Sequence, residues 1–178
     1  MLAGAERAKR LAERLPAVLR GDDQPGDVND QIGFAELCYG KKLHAAAARL
    51  FAQALSTDPA LAADRRSQHP YNAACAAALA GCGKGEDNPA PDEAARLKLR
   101  QQALDWLKAE HAEWSKLMEG DSKVSKEVAQ TLRHWQVDPD LAGVREPAGL
   151  MKLSEEERAR WRALWDDVGR LLREAESR

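Results

Sequence analysis

Apolar residues recur along the chain at intervals of three and four, the spacing that lines one side of a helix. Leu11, Leu15, Val18 and Leu19 share a side in a first helix predicted over residues 3–19, with charges opposite, and Pro16 is expected to kink or end it. The stretch "GDDQPGDVND" then reads as a loop. A second helix is predicted from residue 29 or 30 to 39, and a third from 43 to about 57, with Asp58-Pro59 as its stop. In the third, Ala47, Phe51 and Ala54 fall on one face, small residues either side of one ring, so a neighbouring helix can come close.

Next, "HPYNAACAAALAG" places Pro70 in a first turn and Gly81 just past a last one, the usual asymmetry of helix ends. The "GCGKGEDNPAP" that follows is a turn-rich loop, longer than most helix connections. The longest helical pattern covers residues 92 to 118, a rod of about 40 Å, and is expected to carry Leu97, Leu104, Leu107, Trp114 and Leu117 toward a core. Val124, Val128, Leu132 and Trp135 mark a sixth helix closed by Asp138-Pro139. Ser154 and Glu157 form a capping box ahead of Trp161, Leu164, Trp165, Val168, Leu171 and Leu172, which starts the last helix.

Composition supports the same class. The chain has seven Val, one Ile and two Thr among abundant Ala, Leu, Glu, Arg and Lys, so an all-α fold is expected. A formal net charge of −2, with 31% charged residues of mixed sign, supplies no field to gather nucleic acid, and no nucleic-acid partner is expected. The longest run without acidic, basic or histidine side chains, residues 70–83, falls short of the roughly 20 residues that span a bilayer, so no membrane insertion is expected. Cys38, Cys75 and Cys82 are odd in number and lie in or beside Ala-rich stretches, which suits reduced thiols in a cytoplasmic protein.

One internal echo stands out. "DPALAADR" at residues 58–65 returns as "DPDLAGVR" at 138–145, 80 residues on, or two units near forty, a spacing typical of stacked helix pairs.

These residues resemble tetratricopeptide repeats, whose unit is an antiparallel helix pair closed by a proline. Phe34-Ala35 resembles the bulky-then-small pair of a first helix, and Ala47, Phe51, Ala54 and Pro59 match the second helix and its stop. "YNAACA" at 71–76 resembles the start of a further first helix, while the loop from Cys82 to Pro91 is an insertion and Glu110 stands where a small residue is usual. More closely, "KKLHAAAARLFAQAL", "YNAACAAALAGCG", "QALDWLKA", "HWQVDPDLAGVR" and Leu164-Trp165 look like the C-terminal tails of bacterial serine/threonine protein kinases abundant in planctomycetes.

The resemblance implies a short right-handed solenoid of antiparallel helical hairpins: an N-terminal helix and loop (1–28), one repeat at 29–65, a second at 66–119, and capping helices at 120–178. It further implies a protein or peptide partner on the concave face, which would be lined by Ile32, Glu36, Tyr39, Tyr71, Asn72, Cys75 and Leu79. In that reading Tyr71 and Asn72 touch the bound chain, Glu36 selects basic peptides, and Ile32 and Leu79 either join the groove or pack internally. The protein would be a monomer or weak homodimer. The alternative is a regulatory or sensor tail of a kinase, extracytoplasmic if that kinase spans a membrane. No glycine-rich nucleotide loop, H-R-D or D-F-G motif is present, and the chain is not expected to be an enzyme.

Candidate chemistry is sparse. "GCGKG" suggests a phosphate loop, yet G-x-x-x-x-G-K-[ST] needs a glycine at 78 and a hydroxyl at 85, where Ala78 and Gly85 stand, and it needs a preceding strand. His69, Cys75 and Cys82 lack paired metal-ligand spacing. The histidines His44, His69, His111 and His134 are scattered, with no H-E-x-x-H. No catalytic residue, metal site or cofactor is assigned. Of the five tryptophans, Trp106, Trp114, Trp135, Trp161 and Trp165, most are expected in the core and one or two are candidates to anchor a partner.

Overall fold

The computed structural model describes residues 2–63, 67–120 and 122–178, and among them every regular element is a helix. In chain order these are α1 (Leu2–Arg20), α2 (Val28–Gly40), α3 (His44–Thr57), α4 (Ala60–Ala63), α5 (His69–Gly81), α6 (Glu93–Gly120), α7 (Ser125–Val137), α8 (Ala142–Arg145), α9 (Pro147–Leu150) and α10 (Glu155–Glu176). One-turn 3-10 helices stand at Ser122–Val124 and Pro139–Leu141.

The helices begin where local chemistry starts them. Asp27 caps α2 by accepting from the Asp30 amide at 2.8 Å. Ser154 Oγ accepts from the Glu157 amide at 3.2 Å to open α10, as its capping box requires. By contrast α3 has no cap of its own, because Leu43 offers no side-chain acceptor. Its cap comes from the inserted loop: the Asp87 carboxylate accepts from the Ala45 and Ala46 amides, each at 3.0 Å. A bond from the Glu86 amide to the Lys42 carbonyl, 2.8 Å, fastens the same loop.

Packing runs from neighbour to neighbour. Helix α1 lies on α2, α2 on α3, α3 on α5 and α5 on α6; α10 then covers α7 and reaches α6 and α8. Sandwiched α5 is apolar all round, with Ala73, Ala74, Ala76 and Ala77 fully buried, and its small side chains let α3 and α6 approach from either side. A single apolar cluster extends from Leu11 through Phe34, Phe51, Leu107 and Trp135 to Ala175. The loop before α2 is tied down by Arg14, which bonds Asp23 at 2.8 Å and Asp30 at 3.0 Å while its guanidinium sits over Phe34.

The sequence echo has a structural counterpart. In each copy the leading aspartate accepts from the amide two residues on, Asp58 from Ala60 at 3.0 Å and Asp138 from Asp140 at 2.9 Å. Each then opens a short helical stretch, with Leu61 bonding back to Asp58 and Leu141 back to Asp138. The end of the first copy, Asp64 and Arg65, lies outside the described residues.

Three expectations need correcting. Pro16 does not end α1, which runs on past it to Arg20: Pro16 and Ala12 are both exposed, while buried Leu15 and Val18 hold the last turn. Leu97 does not reach the core and is 47% exposed, because Arg100 takes the buried side of that turn against Gly81. Leu19, beside the end of α1, is likewise exposed and lies outside the apolar cluster.

Candidate functional site

Helices α2 and α5 both pack on α3, and side chains from the C-terminal turns of α2 and the N-terminal half of α5 line a hollow of about 240 Å³. Glu36 and Tyr39 come from α2, and Tyr71, Asn72 and Cys75 from α5, so the five residues assigned to a partner on sequence grounds line one space. Ile32 and Leu79 line no part of it; Ile32 is buried in the core and Leu79 is half-buried elsewhere on α5.

The opposite wall comes from beyond α7. Tyr39 donates its hydroxyl proton to Asp140 Oδ2, and Tyr71 donates to Asp138 Oδ2 at 2.7 Å. Asp138 is buried, and the same carboxylate oxygen lies 3.2 Å from His134 Nε2. Tyr71 is stacked on Trp135 with ring centres 5.4 Å apart and tilted by only 14°, while Tyr39 meets His44 edge-on at 5.4 Å. Arg145 holds the turn that carries the two aspartates, donating to the carbonyls of Trp135 at 2.9 Å and Asp138 at 2.8 Å.

These surroundings decide what the groups can do. Burial, followed by the bond to Asp140, pushes the Tyr39 phenol far above its ordinary value. Burial, the neighbouring Cys75 and the bond to Asp138 do the same for Tyr71. Both phenols therefore stay protonated and serve as donors. Burial, then Asp138 and Asp140, hold the Cys75 thiol well above its ordinary value, so it stands in this hollow as a neutral thiol.

A second hollow of about 380 Å³ continues from the first, sharing Gln68, Tyr71 and His134. It adds Glu110 and Trp114 from α6 and Glu127 from α7. The two together form a groove lined by five carboxylates, Glu36, Glu110, Glu127, Asp138 and Asp140, and among the described residues no lysine or arginine lines either part. A larger, open hollow of about 620 Å³ lies apart from it, between α3, α6 and the loop at Gln24 and Pro25.

Among the described residues no three His, Cys, Asp or Glu side chains stand close enough to hold a metal ion. Among the described residues no helix is long and apolar enough to cross a membrane. Trp114, Trp135 and Trp161 are core residues, and half-buried Trp165 spends its indole N–H on the Val144 carbonyl at 2.8 Å.

The residues missed on sequence grounds are Asp138, Asp140 and His134. A signal existed: the second echo reads Asp-Pro-Asp where the first reads Asp-Pro-Ala, so Asp140 is a carboxylate added at the position of Ala60. Locally Asp138-Pro139 reads as a helix stop, and nothing near Asp140 points to its partner Tyr39, 101 residues away. The chain matches no protein-family model, no curated protein and no solved structure.

Proposed function

We propose that the chain is a non-catalytic, tetratricopeptide-like protein-binding module whose groove receives a basic segment of a partner. The order of packing supports the repeat reading: α2 with α3 and α5 with α6 are consecutive helix pairs, joined through α3 and α5. Buried Phe34, Ala35, Ala47, Phe51 and Ala54 occupy the interfaces that such pairs require.

The observation that carries the function is the groove's charge. Five carboxylates and no lysine or arginine stand in the lining of the shared hollow, an excess of negative charge that favours a cationic side chain entering it. Asn72 in the lining offers both a donor and an acceptor to a bound backbone, and Tyr39 and Tyr71 in the same lining add aromatic surface that suits a lysine or arginine head.

The test is fluorescence anisotropy with a short labelled Lys/Arg-rich peptide, beside the same peptide with Glu at every basic position. Saturable binding of the basic peptide alone is expected, weakening as salt rises. Reversing the charge at Glu36→Lys and Glu127→Lys is expected to raise Kd by about tenfold or more with the helical circular dichroism unchanged. Equal binding of the acidic peptide, or an unchanged Kd in the reversed variant, defeats the proposal.

A further inference from the structure

At the other end of α5, about 15 Å along the helix from Tyr71, lies a hollow of about 180 Å³ with the opposite charge. Lys84 reaches it from the "GCGKG" loop, Arg96 and Arg100 from the first turns of α6, and Lys152 from the stretch after α9; the one carboxylate in its lining is Glu93. Arg100 is already satisfied, donating to Glu157 at 2.7 and 3.2 Å, to Glu93 at 3.0 Å and to the Gly81 carbonyl at 2.6 Å. The other three cations have no ion pair among the described residues. Arg96 Nε, moreover, is buried without a hydrogen-bond partner.

Backbone forms much of the remaining wall. The Arg96 guanidinium lies over Gly83, whose φ of +70 and missing side chain leave room for it: a Cβ there would stand 3.2 Å from the guanidinium carbon. Gly143 and Gly149 close the far side by direct contact of their main chains. Helix packing accounts for the glycines. It does not account for Lys84, Arg96 and Lys152 lining one hollow without an ion pair, a surplus of positive charge that an anion would balance.

We propose that this hollow binds a phosphomonoester dianion. The Arg96 fork supplies paired donors to two phosphoryl oxygens, including the Nε–H that is now unpartnered, and Lys84 and Lys152 neutralise the charge from either side. Once Arg100 is balanced by Glu157, the lining carries three free positive charges against Glu93, a surplus suited to a doubly charged ligand. At about 180 Å³ the hollow is smaller than the pockets that enclose whole drug-sized ligands, so it takes a phosphoryl group and the start of its ester and not a nucleotide. Thus "GCGKG", which lacks the residues of a nucleotide loop, still delivers a phosphate-binding lysine.

Isothermal titration with inorganic phosphate, O-phosphoserine and serine tests this on the full chain. Saturable one-to-one binding of both phosphates and none of serine is expected; tighter O-phosphoserine identifies an ester as ligand, equal affinities identify the free anion. Arg96→Gln and Lys84→Gln are each expected to raise Kd about tenfold, and Glu36→Lys in the distant groove to leave it unchanged. Because the phosphomonoester loses its second proton near pH 6, affinity should climb between pH 5 and 7.5. Absence of saturable binding overturns the proposal, as does an unaltered Kd in both Arg96→Gln and exposed Lys84→Gln when melting shows that the variants fold.

Discussion

The two ends of α5 carry opposite charge. Its N-terminal half borders a groove with five carboxylates, and its C-terminal end borders a hollow with four cations and one carboxylate in its lining. The direction agrees with the helix macrodipole, whose positive end stands at the acidic groove and whose negative end, the Gly81 carbonyl, accepts from Arg100. A chain of net charge −2 thus keeps its charges sorted, so the bulk number conceals two local fields.

One stretch of chain serves both sites. Asp138 and Asp140 at its start face the groove; Gly143, Gly149 and Lys152 further on wall the hollow. Breaking that stretch should therefore damage the two regions together. In Gly149→Ala the new Cβ would lie 2.3 Å from the Gly143 carbonyl oxygen, a backbone atom with nowhere to retreat. The expected loss is about 3 kcal/mol in urea unfolding, with both peptide and phosphate affinity reduced. If the variant keeps wild-type stability and only one ligand suffers, the two sites are not joined through this stretch.

A smaller change should separate them. Asp87→Ala removes the acceptor of two amides at the start of α3 and frees the loop that carries Lys84. A loss of about 1–2 kcal/mol is expected by chemical denaturation. Phosphate binding should weaken while the basic peptide binds as before, since Asp87 lines neither part of the groove. Equal weakening of both would show the loop acting through the whole fold.

The smallest effect concerns the ring between the two regions. His44 meets Tyr39 of the groove and touches the loop at Gly85. Burial holds its folded-state value below the ordinary 6.5, so the native protein keeps the ring neutral while the unfolded chain takes up a proton more readily. Its stabilising contribution is thus complete above about pH 6.5 and is lost as pH falls through the folded value. Unfolding free energies measured from pH 7.5 down to 5 should fall less steeply in His44→Gln than in the wild type; parallel curves would remove His44 as the cause.

What was legible beforehand follows from range. The helices at residues 69–81 and 155–176 are readable because Pro70, Ser154 and Glu157 act within a turn of where they stand, whereas Gly81, expected just past its helix, lies inside it against Arg100. Tyr71 and Glu36 are grouped only through the resemblance to tetratricopeptide repeats, and both line the same hollow. Of the two outcomes expected at Pro16, a kink or an end, the end does not occur, because local propensity loses to the packing of Leu15 and Val18. Leu97 was misplaced because periodicity names a helix side without saying where its neighbour ends, and Arg100 holds that place.

The amino-acid order by itself determined an all-helical chain, most helix limits and the small-residue faces through which helices meet, since backbone bonding and side-chain period act over three or four residues. Only the tertiary structure decided that Asp140 meets Tyr39, that Asp87 caps a helix 42 residues away, and that Lys84, Arg96 and Lys152 share a hollow. Those meetings depend on how far each rod extends past its neighbour and at what angle, which the summed packing of the core sets and no short stretch encodes.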